Sequence, residues 1–207
     1  MAPIRVRHGD TITLPAVEYA RRYYETTGWL LDGRLIAPGT EIKVTEDQSY
    51  VCGWALCTRA SWTGTELTIN YDALFEIHVT ELLNIEELAR AGYTRCRLKL
   101  SQLTVPTDGR TSAGVDVYEA MPEKSFFGMD GWQAASYAKA HRVIDSDEVG
   151  GLVYNQQQTF YTEALSLDKL LSSGATVYVH EKCRPAFPLD VGNNTTIVSF
   201  TLEIEVF

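Results

Sequence analysis

Two phrases of this chain, 82 residues apart, are close to the same: TELLNIEELARAGYTRCRLKL, from Thr80 to Leu100, and TEALSLDKLLSSGATVYVHEK, from Thr162 to Lys182. This repetition constrains the fold more than any other feature, because each copy spells one order of elements. In the first, Asn84 can cap a short helix, with Glu87 three places on as the return partner of a capping box. Leu88 and Ala89 face inward, Gly92 ends the helix, and YTRCRLKL resumes as a strand. In the second, Ser166 caps, Leu167, Leu170 and Leu171 pack, Gly174 ends the helix, and ATVYVHEK is the strand. The match runs on without a gap to VPTD at 105–108 and FPLD at 187–190, giving eight identities in 29 positions. The proline and aspartate after the strand have no part in a helix cap. The sequence therefore predicts two related strand–helix–strand modules, the vestige of a duplication. Their shared residues are caps, core leucines and glycine stops, which build and need no chemistry.

The remaining segments read mainly as antiparallel sheet. Ile4 to Val6 predicts a short strand, and Thr13 with Leu14-Pro15 predicts a helix start, its apolar side Val17, Ala20 and Tyr24 and its stop Gly28. In WLLDGRLIA, Asp32-Gly33 between two apolar runs is a two-residue hairpin signal, since both turn positions favour positive φ. EIKVTED, SYVCGWALCTR and LTINYDALFEIHV follow as strands. Asp130 then precedes a run of small residues, Ala134, Ala135, Ser136, Ala138 and Ala140, which predicts a helix able to pack closely. GLVYNQQQTFYTEAL is a strand turned near Asn155, NNTT at 193–196 is a turn, and IVSFTLEIEVF closes the chain as a long strand paired in a sheet. The expected fold is α+β, dominated by antiparallel sheet, with three or four short helices. Its N-terminal half, 1–120, holds the first module and its C-terminal half, 121–207, the second, in one compact unit.

Charge narrows the partners. The 18 basic and 27 acidic residues give a formal charge of −9, and such a surface repels phosphate backbones, so nucleic acid is not an expected partner. The acidic residues are dispersed, the densest group being IDSDEV at 144–149. No apolar run is long enough to span a bilayer, so no membrane partner is expected. MAPIRVRHGD lacks the apolar stretch of a secretory signal, which places the chain in the cytoplasm or in a particle assembled there. Cysteines 52, 57, 96 and 183 then read as free thiols. Cys52, Cys57, His180 and Cys183 lack the C-x2-C spacing of a structural zinc site, so no metal is expected.

Chemical motifs are few. There is no Gly-rich phosphate loop, nucleophile elbow or H-E-x-x-H, and no cofactor is expected. His78 opens an H-x-T that resembles half of the two-histidine phosphoesterase motif, but no second copy exists, since Asp10, Val143 and Lys182 stand two places after His8, His141 and His180. Glu203 and Glu205 alternate on the closing strand, and this Glu-x-Glu resembles that of arginine-specific ADP-ribosyltransferases, with Arg5 or Arg7 as the early arginine and Thr195-Thr196 as the central strand. The sequence departs from that family in having no Ser-Thr-Ser and too short a run from Thr196 to Glu203. The aromatic residues are the unusual resource: 11 Tyr, 7 Phe and 4 Trp. Trp29, Trp54, Trp62, Trp132 and Phe207 are the candidate interaction residues, since large rings anchor interface centres when exposed together. The expected function is a non-catalytic assembly or binding subunit of a larger particle, such as a bacteriophage virion. Its expected partners are other protein subunits, copies of itself among them. The alternatives are an acidic inhibitor or immunity-type protein that masks a basic site, and an ADP-ribosyltransferase-like enzyme.

Overall fold

The structure is a computed structural model that describes residues 5–70, 72–104, 111–129, 132–137, 140–145, 156–185 and 195–207. It is mostly antiparallel sheet with a few short helices, and the chain divides into two compact units, Met1–Cys57 and Thr58–Phe207. Residue 120, where the two expected halves meet, falls inside the second unit.

The first unit holds β1 (Thr11–Thr13), β2 (Tyr24–Leu31), β3 (Arg34–Ile36), β4 (Glu41–Lys43) and β5 (Val51–Leu56). β1 pairs with β4, and β2 lies between β3 and β5. The Asp32-Gly33 hairpin forms, with both residues at positive φ and Leu31 opposite Arg34. No helix forms between Leu14 and Gly28, contrary to the sequence expectation. Tyr24, Thr26 and Trp29 fit a pleated surface, and pairing of β2 along β5 outweighs a weak helical periodicity. Trp29 also donates its indole N–H to the Pro15 carbonyl at 2.8 Å, which ties the would-be helix start to β2. Gly28, the expected helix stop, sits inside β2 at a register shift; a Cβ there would lie 2.6 Å from the Ile36 carbonyl oxygen.

The second unit holds β6 (Arg59–Asn70), β7 (Asp72–His78), α1 (Val79–Leu82), α2 (Ile85–Arg90), β8 (Arg95–Thr104), β9 (Thr111–Tyr118), β10 (Lys124–Met129), β11 (Trp132–Tyr137), β12 (Arg142–Asp145), β13 (Gln158–Tyr161), β14 (Leu165–Ser166), α3 (Leu167–Ser172), β15 (Thr176–Pro185) and β16 (Thr195–Val206). Among the described residues, and setting aside the β10–β11 hairpin and the short β14, eight strands form two antiparallel sheets. The first runs β6-β16-β8-β13 and the second β7-β15-β9-β12. In chain order these are strands one, eight, three and six facing two, seven, four and five, the strand order of a jelly roll. The expected alanine-rich helix is instead β11, paired with β10 so that Met129 opposes Trp132. The ladder of backbone bonds along β10, from Lys124 opposite Tyr137 to Met129 opposite Trp132, outweighs the helical propensity of the small residues.

The core lies between the two sheets. Cys96, Leu98 and Leu100 of β8 are fully buried while Arg97 between them is exposed and Lys99 half-buried, the period of a half-buried strand. Phe200, Leu202, Ile204 and Val206 of β16 line the same side, opposite Ile77, Val117, Val177 and Val179 of the second sheet. Rings of Trp62, Phe75 and Phe200 interlock across the gap, with centroids 5.4–6.4 Å apart. Each fully buried aliphatic side chain stabilises the fold by ~1.5–3 kcal/mol. At one end α2 and α3 close the sandwich through Ile85, Leu88, Leu167 and Leu170, all buried.

Candidate functional site

The outward faces of the two sheets differ, and each carries a cluster of polar groups. On the second sheet the cluster is closed. Asp145 opposes Asp116, and His180 opposes Asp116 from the other side. Arg142 joins them, with a guanidinium nitrogen 2.6 Å from Asp145 Oδ2 and another 3.6 Å from Asp116 Oδ2. Tyr118 donates its hydroxyl to Asp116 Oδ2 at 3.2 Å, and His180 Nδ1 lies 3.9 Å from the same oxygen. Burial, with Asp116 beside it, pushes the Tyr118 phenol above its ordinary range. Asp116 and His180 are only 3% and 2% exposed. Such a polar group, shut from solvent, holds the strands β9, β12 and β15 to one another.

On the first sheet the cluster is open. β6, β16, β8 and β13 present Arg59, Ser61 and Thr63, then Thr201, Glu203 and Glu205, then Arg97 and Lys99, then Tyr161, around a concave groove of about 800 Å³. Strand register places each carboxylate beside a cation. Glu203 lies between Ser61 and Lys99, and Glu205 between Arg59 and Arg97. Glu203 Oε1 accepts from Lys99 Nζ at 2.8 Å and from Ser101 Oγ at 2.6 Å. These bonds hold its carboxyl below the usual range, and the bond to Glu203 holds the Lys99 ammonium above its own. Arg59 bonds Glu205, and Thr63 shares a hydrogen bond with Thr201 at 3.0 Å. Tyr161 is 60% exposed, with the Lys99 ammonium 6.0 Å from its ring centre. Two non-glycine residues at positive φ, Glu66 and Gln102, sit where the β6–β16 and β8–β16 registers shift. Bulges of this kind bend a sheet and occur beside functional surfaces.

The candidate aromatics are dispersed. Trp29 is buried and Trp54 half-buried in the first unit, while Trp62 is half-buried in the sandwich core. Trp132 lies on β11, and its side chain is outside the described residues. Phe207 is 45% exposed, with the Arg97 guanidinium over its ring. Sequence reasoning missed Tyr161 and the cationic half of the groove. Arg97 and Lys99 alternate with buried residues and were legible as an outer face, but their meeting with Glu203 depends on β16 lying beside β8.

Of the histidines considered for chemistry, His78 shares a hydrogen bond with Thr176 at 3.1 Å and His180 belongs to the closed cluster. Cys96 is fully buried, and burial with nearby Glu119 pushes its thiol up to about 11. Among the described residues no group of three or more His, Cys, Asp or Glu side chains is placed to hold a metal ion. Cys183 is on β15, its side chain outside the described residues, as are Pro106, Asp108, Pro188 and Asp190 of the repeated phrase.

No family model matches the chain, and no curated protein matches it. A solved structure of the infectious bursal disease virus Gx strain is similar at 12% identity and a TM-score of 0.29. The similarity covers 94% of this chain and 54% of that one, so this chain spans about half of that chain's length.

Proposed function

We propose that this protein is a non-catalytic subunit of a larger protein particle of the virion type, such as a bacteriophage's, assembled in the cytoplasm from copies of itself or other protein subunits. The observation that carries the reading is the strand order of the second unit, one-eight-three-six facing two-seven-four-five, an architecture that recurs in capsid and lectin domains. Fold alone does not give function, so the surface has to agree. The Glu-x-Glu pair supports a non-catalytic part, since Arg59 bonds Glu205 and Lys99 bonds Glu203. In the first unit, register sets Leu35, Leu30 and Val51 in one row across the three strands, with Leu35 53% and Val51 57% exposed. An apolar row on open edge strands suits contact with another subunit.

The same reading includes two related modules within the sandwich. α2 and α3 begin and end 82 residues apart, and the side chains of Asn84 and Ser166 each accept from the backbone N–H three residues on. Gly92 and Gly174 both lie at positive φ.

The test is native mass. Purified protein, measured by light scattering and sedimentation, should exceed the mass of one chain, and Leu35→Asp with Val51→Asp should return it to monomer without lowering the melting temperature. A strictly monomeric wild type, at concentrations up to those of crowded assembly, would count against the proposal.

A further inference from the structure

We propose that the concave outer face of the first sheet binds a short, neutral oligosaccharide, with Tyr161 as its stacking platform and Arg97, Lys99, Gln102 and Glu203 as its polar contacts. A volume of about 800 Å³ is within the ~300–1,000 Å³ range of small-molecule sites. An ordinary solvated sheet face explains paired charges. It does not explain a concave surface bent by two left-handed non-glycine residues, one of which, Gln102, lines the groove. Strained backbone of that kind costs of order 1–3 kcal/mol per residue and persists where the surroundings hold it.

The ligand class follows from the hydrogen-bonding atoms that remain. Among the described residues, Glu203 Oε1 is taken by Lys99 and Ser101, while Oε2 has no partner. Gln102 uses its carbonyl oxygen on the Thr201 hydroxyl at 3.4 Å, and its amide N–H groups have no partner among the described residues. Arg97 has no carboxylate at ion-pair distance among them, only the Phe207 ring at 5.7 Å. The groove thus offers an acceptor beside several donors, with Lys99 and Glu203 held to each other across the strands. A pair of neighbouring hydroxyls satisfies both kinds at once, because each can donate to the carboxylate and accept from an amide or ammonium. An isolated anion would face the Glu203 carboxylate, and a cation would face Lys99 and Arg97. An apolar ligand would strip water from all of these groups without replacing it. The exposed Tyr161 ring supplies an apolar surface suited to the C–H face of a pyranose.

This inference holds whether or not the chain assembles, and its test is independent of native mass. Full-length protein is applied to an immobilised panel of neutral tetrasaccharides of gluco, manno, galacto and N-acetylgluco configuration, with a heparin-derived tetrasaccharide as the anionic arm. Capture of at least one neutral sugar is expected, weakened about tenfold or more in Glu203→Gln, as for loss of one charge-assisted hydrogen bond. Tyr161→Ala should weaken it similarly and Tyr161→Phe should restore it. These exposed positions should leave the melting temperature unchanged, which separates binding loss from unfolding. The proposal is overturned if no neutral sugar is captured, if only the heparin fragment is, or if capture is indifferent to both Tyr161→Ala and Glu203→Gln.

Discussion

At the scale of single residues, Glu203 shows how position along a strand sets the behaviour of a group. Hydrogen bonds from Lys99 and Ser101 depress its folded pKa below the ordinary value of 4.5. Its contribution to stability is therefore complete above that value and is lost as pH falls through the lower, folded one. Lys99 is raised from 10.5 by the bond to Glu203, so its contribution is complete below 10.5 and is lost as pH rises through the folded value. The pair stabilises between those limits, and modestly, because both side chains are about a third exposed. Glu203→Gln should change the urea midpoint little at pH 7 and make the loss of stability below pH 4.5 shallower than in the wild type. Midpoints measured from pH 3 to 8 decide it; two curves that stay parallel into acid would show that Glu203 has no depressed pKa.

At the scale of elements, the helices α2 and α3 make the same local solution twice. A side-chain oxygen at the N-cap, from Asn84 or Ser166, takes the N–H three residues on, and a glycine at positive φ lets the chain leave. Ile85 and Leu88 in one, Leu167 and Leu170 in the other, supply the buried face. Replacing residues 84–92 by the sequence of 166–174 should give a folded protein whose melting temperature falls by only a few degrees, the effect of ~1 kcal/mol in a unit of this size. Loss of the cooperative transition in that chimera would show that the two segments are not interchangeable. The elements misread from the sequence share one cause. Leu14 to Gly28 and the small residues of β11, Ala134 to Ser136, carry a helical spacing, but the strand partners of β2 and β11, which are β5 and β10, offer a ladder of backbone bonds that local propensity does not register.

At the scale of the whole molecule, β16 is the strand on which the first sheet depends. It lies between β6 and β8, pairing Arg59 with Glu205 and Val206 with Cys96. Those partners are far apart in sequence, so the sheet closes only when the distant β16 arrives. Cutting the chain before Ile197 should therefore abolish cooperative unfolding of the second unit, seen as a flat thermal melt and lost near-ultraviolet signal. A truncated chain that still melts sharply would place the stabilising core elsewhere.

The sequence alone determined what depends on neighbours along the chain. It spelled the Asp32-Gly33 hairpin, the caps and glycine stops of α2 and α3, and the alternation that buries Leu98 and Leu100 while exposing Arg97. It also marked Glu203 and Glu205 as sharing one face. Only the tertiary structure decided which strands lie side by side, and with that the groove, because Tyr161, Lys99 and Glu203 come from three strands brought together by long-range pairing. Periodicity fixes the face on which a side chain stands, and the side chain across from it is set by backbone bonds between distant segments.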